Sequence, residues 1–175
     1  MKILVCVDMQ RDFCELALAN HRAVEIIPLI KKRIVKARQD KEMVIFTQDT
    51  HDEDYMNTLE GEKLPVEHCI YGTEGWKIVP ELDDEASLCV LKPTFASFNL
   101  INRMRTLADA MNEIPEIELC GTVTSVCVLA NAVLLRAAFP NSKITVNGKL
   151  CADINDENQS AALKIMECQQ IDVIY

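Results

Sequence analysis

The sequence is poor in glycine and proline, with 5 and 6 among 175 residues, too few for a fibrous or disordered chain. It has no run near the ~18 consecutive apolar residues of a membrane-spanning helix, so no membrane role is expected. The first apolar stretch, residues 3–7, stops at Asp8. That is shorter than the about 7–15 residues of a secretory signal, and a cytoplasmic protein is the expectation. Positive charge is also short: 18 Lys and Arg stand against 27 Asp and Glu, a net charge of −9. Such a surface repels phosphate backbones, so nucleic acid is not an expected partner. No repeat, low-complexity segment or linker interrupts the chain. The eight cysteines (6, 14, 69, 89, 120, 127, 151 and 168) form no Cys-x-x-Cys pair and are spread evenly, unlike a secreted disulfide framework. Cys6, Cys89, Cys120, Cys127 and Cys168 sit in or beside apolar stretches, where a free cysteine packs as a small hydrophobe.

What remains is an ordinary globular mixture, 49% hydrophobic and 26% charged, of a length that suits one domain, residues 1–175, with a two-sided core. Short apolar runs rich in β-branched residues predict strands over 3–7, 43–47, 88–91, 117–120, 144–146 and 172–174. Between them lie helical patterns. Residues 22–39 carry Ala23, Ile26, Ile27, Ile30, Ile34 and Ala37 on one face; 99–111 and 156–168 are also helical. Residues 125–138 are apolar nearly all round, which predicts a deeply buried helix. Alternation of this kind predicts an α/β fold: three αβα layers, Rossmann-like, with an open, mostly parallel six-stranded sheet and helices on both faces. The long, polar, acidic segment 49–87 breaks the rhythm, and a loop of this length is usually functional.

Ligands of open α/β sheets bind at the carboxyl ends of the strands. Asp8 follows the first predicted strand, Asp49 and His51 the second, Lys92 the third, and Gly121-Thr-Val-Thr-Ser-Val-Cys127 the fourth. Cys127 falls in the first turn of a helix, where backbone N–H groups favour a thiolate. With Asp8 as a base and Lys92 as a cation, the set has the logic of covalent catalysis, with acyl transfer the natural reaction. Asp49 and His51, with His68 further along, are ligands suited to one divalent ion, Zn²⁺ first and Fe²⁺ or Mn²⁺ as alternatives.

These residues carry a family resemblance. Val7-Asp8-Met9-Gln10-Arg11-Asp12-Phe13, Asp49-Thr-His51, His68-Cys-Ile-Tyr-Gly-Thr-Glu-Gly75, Lys92-Pro-Thr-Phe-Ala-Ser-Phe98 and Gly121-Thr-Val-Thr-Ser-Val-Cys127-Val128 resemble, in order, the motifs of the isochorismatase-like cysteine hydrolases, and most closely their nicotinamidase-like members. The resemblance implies Cys127 as nucleophile, Asp8 as general acid/base and Lys92 as the residue that helps lower the thiol pKa. It implies a cis peptide between Thr122 and Val123, aiming the Val123 N–H with that of Cys127 at an oxyanion. It maps the metal ligands onto Asp49, His51 and His68, and suggests a homo-oligomer. Phe13, Gln10 and Phe95 are the candidate substrate-binding residues: Phe13 as a ring-stacking wall, Phe95 where a Tyr is common, and Gln10 expected to hydrogen-bond near Asp8 or Lys92. The implied reaction is hydrolysis of a small amide through a thioester, nicotinamide to nicotinate and ammonia.

Departures bear on the substrate. Residues 63–67 lack the Trp that nicotinamidases often carry before the metal-binding His; the one Trp, Trp76, lies beyond it. The alternatives within the family are an isochorismatase and a ureido or carbamoyl amidohydrolase. Isochorismate is dianionic, and segment 49–87 offers only Lys63 and Lys77. Outside the family the alternatives are a non-catalytic binding protein and a thiol redox sensor.

Overall fold

The computed structural model describes residues 1–83 and 86–175. Six strands, β1 (Lys2–Val7), β2 (Met43–Asp49), β3 (Leu88–Lys92), β4 (Glu116–Thr122), β5 (Ile144–Ala152) and β6 (Asp172–Ile174), form one sheet. All pairs are parallel and the order is β3-β2-β1-β4-β5-β6. The helices are α1 (Arg11–Cys14), α2 (His21–Gln39), α3 (Leu59–Lys63), α4 (Phe98–Met111), α5 (Leu129–Ala138) and α6 (Asp156–Cys168). A 3₁₀ turn (Tyr55–Asn57) precedes α3, and a π turn (Thr124–Val128) leads into α5. The expected α/β sandwich, covered on both sides, is present. No helix among the described residues is long and apolar enough to cross a membrane.

The alternation of side chains along β1 builds two cores. Ile3, Val5 and Val7 face α4, α5 and α6, whereas Leu4 and Cys6 face the Ala23–Ala37 stripe of α2. That stripe matches the sequence pattern. Asn20 caps α2 by accepting the Arg22 N–H at 3.1 Å, and Lys36 and Arg38 occupy its last turn, where cations complement the dipole.

Three expectations need correction. The strand β3 is an edge strand, and Cys89 and Leu91 on one of its faces are exposed; Cys89 is therefore not core. Cys168, at the end of α6, is exposed as well. The apolar helix after the fourth strand is not buried all round: in α5 only Asn131, Ala132 and Leu135 are fully enclosed. One side packs on the sheet, the rest is half-covered, and Ala137 is exposed.

Strand order reverses at β1, so β4 lies on one side of it and β2 on the other. In open sheets a crevice opens at the carboxyl ends beside such a switch point. Gly121 lets β4 come close there. Its φ is +119°, and a Cβ would lie 2.1 Å from the Val7 carbonyl oxygen. Gly121→Ala is expected to destabilise the fold by about 3 kcal/mol or more, from backbone conformation and overlap together. The midpoint of urea unfolding reads this; an unchanged midpoint would refute it.

Candidate active site

Asp8 leaves β1 with φ 49°, a left-handed conformation that Asp tolerates better than most residues. Its N–H donates to the Thr47 carbonyl at 3.2 Å, and the Thr47 hydroxyl donates to Asp8 Oδ1 at 2.7 Å. Thr47 stands opposite Val7 in the β1–β2 register, so strand pairing fixes the carboxylate.

Lys92 closes β3 directly opposite Asp49 and is fully buried. Its Nζ lies 2.7 Å from Asp8 Oδ2, 3.1 Å from Asp49 Oδ1 and 3.6 Å from Cys127 Sγ, and it donates to the Thr94 carbonyl at 3.1 Å. Three residues from distant segments thus meet at one ammonium group. The Asp8 contact is the shortest of these, a direct ion pair between two fully buried groups.

The proton affinities follow from this crowding. Burial alone would lower Lys92, but Asp8, Cys127 and Asp49 outweigh it and hold the ammonium above its ordinary value. Burial raises Asp8 against the pull of Lys92. Burial raises the Cys127 thiol well above its ordinary value, and Asp8 raises it further; Lys92 opposes both without prevailing. Burial thus raises the proton affinity of both the sulfur and the neighbouring carboxylate. Lys92 moderates the thiol's rise without bringing about a net fall.

A second group adjoins the first. Asp49 Oδ2 lies 3.2 Å from His51 Nε2 and 3.7 Å from His68 Nε2, and Glu60 Oε1 lies 3.9 Å from His51 Nε2. The donor atoms of all four residues fall within 4.8 Å of one another. A tetrahedral zinc with bonds of about 2.0–2.1 Å places its donors about 3.4 Å apart, so the set fits a small divalent ion. His68 turns Nδ1 to the Val66 carbonyl at 2.8 Å, which leaves the lone pair of Nε2 for an ion. Burial would raise Asp49, but bonds to His51 and His68 and the charge of Lys92 hold it well below the carboxylate range.

A family model described as the isochorismatase domain matches residues 2–174. The chain belongs to the isochorismatase family. Solved structures show the same fold. A pyrazinamidase of Pyrococcus horikoshii in complex with zinc is 24% identical, with 99% of this chain and 98% of that one covered and a TM-score of 0.85. A pyrazinamidase/nicotinamidase from Streptococcus mutans is also 24% identical, covering 99% and 100%, with a TM-score of 0.85. The yeast nicotinamidase Pnc1p is 20% identical, covering 99% of each chain, with a TM-score of 0.82. No curated protein matches the sequence.

Other residues of this isochorismatase-family site stand as follows. The Thr122–Val123 peptide bond is cis. Phe13 is nearly enclosed and meets His68 edge-on, ring centres 5.6 Å apart. Phe95 is 44% exposed on the loop after β3. Gln10 lies between the two groups: its N–H donates to the Asp8 carbonyl at 2.8 Å, and its side chain bonds to Asp49, whose Oδ1 is 3.1 Å from Lys92 Nζ. Gln10 Oε1 accepts the Asp49 N–H at 2.7 Å, and its Nε2 donates to the Asp49 and Trp76 carbonyls at 2.9 and 2.8 Å. It locks the backbone of Asp49, and its side-chain amide is occupied by backbone rather than bonded to the Asp8 carboxylate or Lys92.

Sequence reasoning missed Glu60, Thr47, Tyr55 and Asp12. Glu60 is one of several acids in segment 49–87, and nothing in the pattern selects it. Tyr55 is buried, with its ring centre 4.7 Å from that of His51 and 5.0 Å from that of His68. Asp12 accepts the Cys69 N–H at 2.7 Å, which holds the His68 loop. Asp12 was within the quoted opening motif, the one signal available for it.

Proposed function

We propose that the chain is a metal-assisted cysteine hydrolase of a small, neutral, ring-bearing carboxamide, of the nicotinamide or pyrazinamide kind. The observation that carries this reading is the Lys92 ammonium, 2.7 Å from Asp8 and 3.6 Å from Cys127, beside a four-residue donor group that fits a divalent ion. Structural neighbours bearing the names pyrazinamidase and nicotinamidase support it. An isochorismatase reading is disfavoured by charge: Lys92 is shared between two carboxylates, which leaves little for a dianion.

In this reading Asp8 accepts the Cys127 proton as the sulfur attacks the amide carbon. The oxyanion faces the N–H groups of Val123 and Cys127, where losing one donor typically costs about 10²–10³ in rate. The C–N bond breaks, Asp8 returns the proton to the departing nitrogen, and ammonia leaves an acyl thioester on Cys127. Asp8 then takes a proton from water as it attacks the thioester, and gives one back to sulfur as the acid departs. Asp49, His51, Glu60 and His68 would hold the ion, zinc first, whose chemistry is to orient a ring nitrogen or polarise a bound water. Phe13 would back the substrate ring.

The test is ammonia release from nicotinamide, pyrazinamide and an acyclic amide, before and after chelation and with zinc, iron or manganese restored. Release from the two ring amides, lost on chelation and regained with metal, is expected. No release above background from either ring amide would overturn the reading.

A further inference from the structure

Asn131 is 1% exposed, in a helical stretch whose Val128, Ala132 and Leu135 belong to the apolar core. An amide placed there without partners costs about 1–3 kcal/mol. It has three. Nδ2 donates to the Cys127 carbonyl at 2.8 Å and to the Phe95 carbonyl at 2.9 Å, and Oδ1 accepts the Ser97 N–H at 3.0 Å. None of these partners lies in α5 itself. Cys127 lies in the π turn; Phe95 and Ser97 lie on the loop between β3 and α4.

That loop also carries the Lys92 anchor. Lys92 Nζ donates to the Thr94 carbonyl at 3.1 Å, and the Ser97 hydroxyl caps α4 by accepting the Leu100 N–H at 3.0 Å. The 3.6 Å gap between Nζ and Cys127 Sγ therefore spans two segments far apart in sequence, and one buried side chain bonds to both. The π turn makes such a tie useful. Its backbone bonds follow a wider spacing than those of an α-helix, and the Asn131 side chain supplies a donor to the carbonyl of the nucleophile itself.

We propose that Asn131 is a positioning residue: it sets the distance between the Cys127 sulfur and the Lys92 ammonium by clamping the loop after β3 to the nucleophile turn. It touches neither substrate nor reacting atoms. The proposal rests on Cys127 as the nucleophile, but its principal readout does not depend on which amide is hydrolysed. Misplacing reacting groups by about 1 Å costs about 10²-fold.

The experiment compares wild type with Asn131→Ala and Asn131→Gln. The first removes the amide; the second keeps it on a longer arm. It measures the rate of Cys127 alkylation by iodoacetamide against pH, with labelling at Cys127 resolved by peptide mass, and kcat and KM on the folded fraction. Asn131→Ala is expected to shift the alkylation midpoint to higher pH, since Lys92 no longer sits against the sulfur while Asp8 still does. It should lower kcat by 10- to 100-fold with KM changed less than threefold. Asn131→Gln should recover part of both. A role in stability alone predicts a lower melting point with an unchanged alkylation profile and unchanged kcat per folded molecule, and that result would overturn the proposal. Should Asn131→Ala fail to fold, Asn131→Ser, with one hydroxyl donor left for the Cys127 carbonyl, is read by the same two outcomes. If no tested amide is hydrolysed, the amidase reading fails, while the alkylation profile still decides the role of Asn131.

Discussion

Cys127→Ala is expected to abolish amide hydrolysis, with a fall of at least about 10⁴-fold, because covalent catalysis has no substitute for the lost sulfur. The fold should survive. The sulfur is enclosed, yet the Lys92–Asp8 contact at 2.7 Å and the Lys92–Asp49 contact at 3.1 Å do not pass through it. The variant should unfold within a few degrees of wild type. Cys127→Ser should be nearly as inactive, since burial and Asp8, which already raise the thiol, hinder a hydroxyl more. Acid-quenched wild type mixed with substrate should carry an acyl mass on the peptide containing Cys127, and the alanine variant should not. More than a hundredth of wild-type turnover in Cys127→Ala would remove the sulfur from the chemistry.

Lys92→Met should damage both stability and activity. Methionine fills a similar volume but leaves Asp8 and Asp49 buried without their cation, and breaking a buried pair costs about 3–5 kcal/mol. The loss depends on pH. Burial already raises Asp8 in the native state, with Lys92 opposing the rise, so removing Lys92 raises it further. A carboxyl whose native pKa lies above its unfolded value loses stability as pH climbs from the unfolded value through the native one. The penalty of Lys92→Met should therefore be larger at pH 8 than at pH 5, as urea melts at the two pH values would read. The thiol should also become harder to ionise, since Lys92 is the group that pulls it down, so iodoacetamide should label Cys127 more slowly at neutral pH. A variant as stable as wild type at pH 8 would contradict the shared-cation geometry.

The sheet was legible because its strands are short, apolar and rich in β-branched residues, and the α2 stripe because its spacing is helical. The end of β5 was not legible: Asn147, Gly148 and Lys149 interrupt the apolar run, yet the strand continues to Ala152. The misreading of α5 had the opposite cause, since composition reports how apolar a helix is and not how much of it is covered. At the site, Asp8, Lys92 and Cys127 could be named from strand ends and motif. The side chains that hold them could not. Thr47 is an ordinary strand threonine until register sets it beside Asp8, Asn131 is one polar residue in an apolar helix, and Gln10 makes its bonds to a backbone 39 residues away.

Asp49 turns one oxygen to Lys92 and the other to the two histidines. The two halves of the centre are thus wired through a single side chain, without any movement of the main chain between them. Substitution at this position cannot retune one half and spare the other: Asp49→Asn would weaken the donor group shared with the two histidines and, in the same stroke, free Lys92 to lean toward the sulfur.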